Sequence, residues 1–95
     1  MLVIDILTET SNEMEDASKP IITRGEPCTG VSYKNRKLTL YAGDSSSSRA
    51  CTYGEVRDFI KKMKIDELSA VMIDDCGQVS AARACTRWHD EFMID

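Results

Sequence analysis

The stretch Thr52–Met63, T-Y-G-E-V-R-D-F-I-K-K-M, decides how this chain is read. Thr52 and Glu55 have the spacing of a capping box. In that device the Thr hydroxyl accepts the Glu55 amide and the Glu55 carboxylate reaches back to the Thr52 amide. Tyr53, Val56, Phe59, Ile60 and Met63 fall on one stripe of the helix that the box starts. Lys61, Lys62 and Lys64 gather at its C-terminal end, where the helix dipole favours cations. The K-K-M-K cluster is therefore explained without nucleic acid.

Downstream, the apolar run Leu68–Ile73 reads as a strand closed by Asp74-Asp75-Cys76-Gly77. Val79, Ala82, Cys85, Trp88 and Phe92 then recur at three- and four-residue spacing. That period predicts a second helix from about Ser80 to Phe92, capped near Ser80. Phe59 and Trp88 are expected in the core, because each sits on the apolar stripe of its helix.

Upstream, Leu2–Leu7 is apolar except at Asp5 and reads as a central strand. Residues 8–19, with Glu9, Glu13, Glu15 and Asp16, read as a mobile acidic loop or a short exposed helix capped near Ser11. Pro20–Thr23 suits a short edge strand, since a leading proline is tolerated there. Thr29–Tyr33 and Lys37–Ala42 form a hairpin if Asn35-Arg36 is its two-residue loop. Tyr33 then faces Leu38 and Val31 faces Leu40. Residues 43–50 read as a flexible Ser-rich connector.

Together these elements predict one compact α+β domain over residues 1–95. Its expected sheet is small and mostly antiparallel, of three to four strands, with two helices on one face in the order β-β-β-α-β-α.

Ninety-five residues with 42% hydrophobic content support one modest core and disfavour a large enclosed active site. The net charge is −4. Residues 1–50 carry seven acids and six bases, and residues 51–95 carry nine acids and six bases. This balance argues against binding a phosphate backbone, which needs a concentrated basic face. The N-terminal stretch lacks a basic segment and is broken by Asp5, so neither a signal peptide nor a membrane span is expected. A cytoplasmic location and reduced thiols follow as expectations. Cys28, Cys51, Cys76 and Cys85 lie 23, 25 and 9 residues apart, without a C-x-x-C pair.

Each candidate site has a plain structural alternative. Asp74 and Asp75 follow a strand and, with Asp44, could offer oxygen ligands to Mg²⁺; a solvated turn in which Asp75 caps the following helix is the plain reading. Cys85 and His89 would share a helix face and, with Cys76, supply three zinc ligands. Structural zinc usually shows tighter ligand pairs, and a packed thiol is the simpler account of Cys85. Gly43-Asp44-Ser45 lacks a nearby general base, since His89 is the sole histidine. Lys34-Asn35-Arg36-Lys37, flanked by Tyr33 and Tyr41, is the compact basic patch with aromatics. It would serve an RNA or an acidic protein surface; a solvated hairpin tip is the plain reading.

With no catalytic pair, cofactor loop or complete metal set, the sequence points to a non-enzymatic protein that binds a protein partner. An adaptor, a regulator or an inhibitor would fit, and small chains encoded by phages or mobile elements against host factors are of this kind. Tyr33, Lys34, Arg36, Lys37, Tyr41, Glu13, Glu15 and Asp16 are the expected contact residues. A metal site on Asp74/Asp75 or Cys76/Cys85/His89, or RNA binding through the hairpin, are the alternatives. No cofactor is expected. Purified under reducing conditions, the protein should keep four titratable thiols. Its melting temperature should be unchanged by dithiothreitol or EDTA; a large drop with either would indicate a disulfide or a structural metal.

Overall fold

The computed structural model describes residues 1–9, 13–43 and 50–95, with backbone alone at 13 and 14. Helices α1 (Val3–Glu9) and α2 (Glu13–Asp16) precede strands β1 (Ile21–Thr23), β2 (Glu26–Lys34) and β3 (Lys37–Ala42). Helix α3 (Tyr53–Lys62) leads to β4 (Ala70–Asp75), β5 (Gln78–Ala81), β6 (Cys85–Arg87) and β7 (Phe92–Ile94). The strands form one seven-stranded mixed sheet in the order β5-β4-β3-β2-β1-β7-β6, curled into a half-barrel. The β3–β4 and β1–β7 pairs are parallel and the other four are antiparallel.

This overturns the small, mostly antiparallel sheet of three to four strands expected from the sequence. Two segments account for the difference. Leu2–Leu7 does not form a strand, because Val3–Glu9 is helical, with Val3 and Ile6 buried one turn apart and Asp5 exposed. Tertiary partners take the first amides: Val3 N donates to Ser69 O at 2.9 Å and Ile4 N to Glu67 O at 2.8 Å. Asp5 Oδ2 accepts the Leu2 amide at 2.8 Å. The donors that a short helix leaves unpaired are thus satisfied from outside it.

Ser80–Phe92 is not a helix. Gln78–Arg87 instead runs as an extended strip, pairing first with β4 and then with β7. Between the two pairings the buried Ala82 donates its amide to Val71 O at 2.9 Å, and its carbonyl accepts Met1 N at 2.8 Å. Trp88, expected in the core, is 54% exposed, and Phe59 is half-buried. Phe92 is buried, but as a strand residue alternating with Ile94.

The local devices near α3 and the hairpin form as their spacing dictates. Both arms of the Thr52–Glu55 capping box are present. Tyr53 N donates to Lys19 O and Gly54 N to Ala17 O, each at 2.9 Å, which completes the first turn. Gly54 permits that approach, since a Cβ there would lie 2.9 Å from Ala17 O. In the β2–β3 hairpin Tyr33 pairs with Leu38 and Val31 with Leu40.

Three two-residue turns share one backbone signature. Arg24-Gly25, Asn35-Arg36 and Cys76-Gly77 all have both residues at positive φ, the type I′ pattern that matches strand twist. Pro20–Thr23 is not an edge: β1 lies between β2 and β7.

Inward residues of the sheet (Ile21, Cys28, Leu38, Leu40, Val71, Ile73, Phe92, Ile94) meet Val3 and Ile6 of α1 and Tyr53, Val56 and Ile60 of α3. Tyr53 and Phe92 stack with ring centroids 5.0 Å apart at 36°. Phe92→Ala should cost about 3–5 kcal/mol in equilibrium denaturation. Trp88→Ala should cost under about 1 kcal/mol. The reverse order would show that the curled sheet is misassembled.

Candidate partner-binding face

The helices fill the concave side of the sheet, so the convex side of β2–β5 carries the residues left over by strand alternation. Cross-strand register lines up Ser32, Thr39, Met72 and Ala81 in one row and Gly30, Tyr41, Asp74 and Val79 in the next. Val79 is 56% exposed and Tyr41 37%, while Met72 is half-buried. A Cβ on Gly30 would sit 3.6 Å from Tyr41 Cδ2, so the Tyr41 ring lies beside this bare position. Its hydroxyl shares a 2.8 Å hydrogen bond with Ser32 Oγ. The result is an exposed aromatic held in a fixed pose.

The expected contact residues divide. Lys34 and Lys37 are exposed and paired across the hairpin end. Arg36 is tied to Asp66, Nη2 to Oδ2 at 3.1 Å. The Leu68 amide, and after it the Arg36 guanidinium, holds the Asp66 carboxyl below its usual range. Tyr33 points inward, half-buried against the core, with its hydroxyl 3.1 Å from Ser69 Oγ. Of the two tyrosines, Tyr41 faces outward.

The acidic segment separates in the same way. Glu15 is exposed, and the Glu13 side chain lies outside the described residues, as do residues 10–12 and most of the 43–50 connector, Asp44 included. Asp16 is fully buried. Its Oδ1 lies 2.6 Å from Lys19 Nζ and its Oδ2 2.7 Å from Arg87 Nε. Lys19 Nζ also donates to Trp88 O at 2.9 Å. The hydrogen bond that Arg87 donates to Asp16 raises the Arg87 pKa above its ordinary value. Asp16 is a core anion that pins α2 to the β6–β7 corner. Sequence reasoning missed this, because its second partner, Arg87, stands 71 residues away.

The metal alternatives scatter. Cys76 sits on the exposed β4–β5 turn, Cys85 on β6 and His89 on the exposed β6–β7 connection, so the shared helix face does not exist. The Asp75 charge raises the Cys76 thiol, and burial, followed by Glu9 and Asp5, pushes Cys85 up to about 11. Neither environment favours a thiolate. Asp74 Oδ1 accepts the Gly77 amide at 2.8 Å, which makes it a turn residue. Among the described residues, no group of three or more His, Cys, Asp or Glu is placed to hold a metal.

A further notch of about 570 Å³ is lined by Arg24, Ser80, Ala81, Arg83 and Asp95. It opens beside β5, where the Arg24 guanidinium donates to Ala81 O at 3.4 Å. Asp95 brings a carboxylate in among the two arginines. Among the described residues no helix is long and apolar enough to cross a membrane. No family model matches the chain, and no curated protein or solved structure matches it.

Asp16→Ala should cost about 3–5 kcal/mol, because it strands the buried Lys19 ammonium. Chemical denaturation measures this. A loss under about 1 kcal/mol would return Asp16 to the surface class.

Proposed function

We propose that this protein is a non-enzymatic binding module whose convex sheet face, centred on Tyr41, docks a protein partner. The observation that carries the reading is the fixed, exposed Tyr41 ring beside Gly30, with Asp74 and then Val79 in its row and Met72 in the adjoining row. Tyrosine supplies large contact area at low entropic cost and dominates interface hot spots. Lys34 and Lys37 at one end and Asp74 beside Tyr41 give the face charges of both signs. Such a rim suits a protein surface better than a phosphate backbone, which asks for one sign. A cytoplasmic setting is part of this reading.

The test uses wild-type protein and two face variants, Tyr41→Ala and Val79→Asp, as baits, with bound proteins quantified by mass spectrometry. At least one variant should weaken a specific partner about tenfold or more, equivalent to about 1.4 kcal/mol, at a nearly unchanged melting temperature. Reversing Lys34 and Lys37 together should slow association and alter its salt dependence. Equal capture by wild type and both face variants would move the interface elsewhere. Salt-dependent binding of oligonucleotides, lost on reversing Lys34 and Lys37, would replace the reading with RNA recognition.

A further inference from the structure

Cys28 lies near the start of β2 and Cys51 directly precedes the N-cap of α3. They are 23 residues apart in sequence, yet the Cys51 amide donates to the Cys28 carbonyl at 2.7 Å. Backbones so bonded run about 5 Å apart. A disulfide closes when Cα atoms are roughly 4.4–6.8 Å apart. The side chains are close enough for Cys51 to help raise the Cys28 thiol. Neither is in a disulfide here. We propose that Cys28 and Cys51 are an oxidisable dithiol that closes, by exchange with a low-molecular-weight disulfide such as oxidised glutathione, into a bond tying β2 to the start of α3.

The surroundings set the order of events. Cys28 is fully buried and its thiol donates to Gly30 O at 3.2 Å. Burial first, and then the neighbouring Cys51, push Cys28 up to about 12. Cys51 is half-buried and is the sulfur that a solvent-borne disulfide reaches. The thiolate is the attacking species in such exchange.

The Cys51 thiolate attacks one sulfur of oxidised glutathione, whose S–S bond breaks to release one glutathione thiolate. Cys28 then attacks Cys51 Sγ, and its proton passes to the sulfur that leaves as the second glutathione. Two protein thiols lose two electrons, and one small disulfide becomes two thiols. The other cysteines face carboxylates: Cys76 stands by Asp75, and Cys85 by Glu9 and Asp5. The ring that closes contains the β2–β3 hairpin and therefore Tyr41, so oxidation would stiffen the element that carries the exposed aromatic.

The experiment treats the reduced, folded full chain with oxidised glutathione at mildly alkaline pH, then counts thiols and maps peptides. Two of four thiols should disappear, with Cys28 and Cys51 cross-linked. The melting temperature should rise by about 5 °C or more, since closing a loop of this length restricts the unfolded chain. Dithiothreitol should reverse both changes. A Cys76→Ser/Cys85→Ser double variant should behave in the same way. Cys51→Ser, at a half-buried site, should fold and lose the effect. Four surviving thiols overturn the proposal. So does a stable glutathione adduct on Cys51 with Cys28 still reduced, or a bridge through Cys76 or Cys85. A Cys28–Cys51 bridge that leaves the melting temperature unchanged or lower also counts against it, because it would have formed through unfolding.

Discussion

Ala82 sits where a single extended strip stops pairing with one margin of the sheet and starts toward the other. Its amide holds Val71 O, its carbonyl accepts Met1 N, and Asp95 O accepts the next amide, from Arg83. A strip that must reach both β4 and β7 forces those strands toward each other, and the sheet curls. Curling creates the concave side that α1 and α3 fill, and it spares the sheet two separate outer strands. Isolated edges invite pairing with other chains. Here β5 and β6 are consecutive stretches of the same backbone. The core, the position of α3 and the open convex face all depend on that arrangement.

What could be read in advance was what neighbours in sequence decide. The Thr52–Glu55 box and the Tyr33–Leu38 register need partners only a few residues away, and both were legible. Leu2–Leu7 misled because an apolar run of that length fits a central strand or a buried helix equally well. Its helical identity depends on Glu67 and Ser69 carbonyls far along the chain. Ser80–Phe92 misled for the opposite reason. Alanine-rich sequence at three- and four-residue spacing favours a helix locally, yet β4 and β7 supply ladder hydrogen bonds that local propensity cannot outweigh. A signal was present: Arg24-Gly25 and Cys76-Gly77 each place a glycine second in a tight turn. Reading them as hairpin loops would have exposed β1–β2 and β4–β5.

The candidate site was legible to a similar degree. Once the hairpin register was fixed, burial of Leu40 and Ala42 sent Tyr41 outward, and Tyr33 went to the core with its hydroxyl on Ser69. Asp16 looked like one acid among several in a polar stretch. Its burial follows from Lys19 one helical turn on and Arg87 from the opposite end of the chain. A buried carboxylate with two cationic neighbours avoids the cost of an unpaired charge, though such pairs often add little net stability. Their value lies in geometry: the triad admits one docking of α2 against the β6–β7 corner.

These constraints divide the molecule into a side committed to structure and a side left open. Segment 50–53 shows how tightly the committed side is wired. Cys51 N takes the Cys28 carbonyl, Cys51 O takes the Ile21 amide, and Tyr53 N takes the Lys19 carbonyl. The start of α3 is thereby fixed to β1, β2 and the end of α2 at once, with few backbone groups free for a ligand. On the convex side, strand alternation leaves Tyr41, Met72 and Val79 uncovered by any helix among the described residues. Recognition placed there leaves the core undisturbed, because its contacts use side chains that the fold does not need. Oxidation of Cys28 and Cys51 is the point where the two sides would communicate, since the hairpin spanning that ring contributes both Leu40 to the core and Tyr41 to the open face.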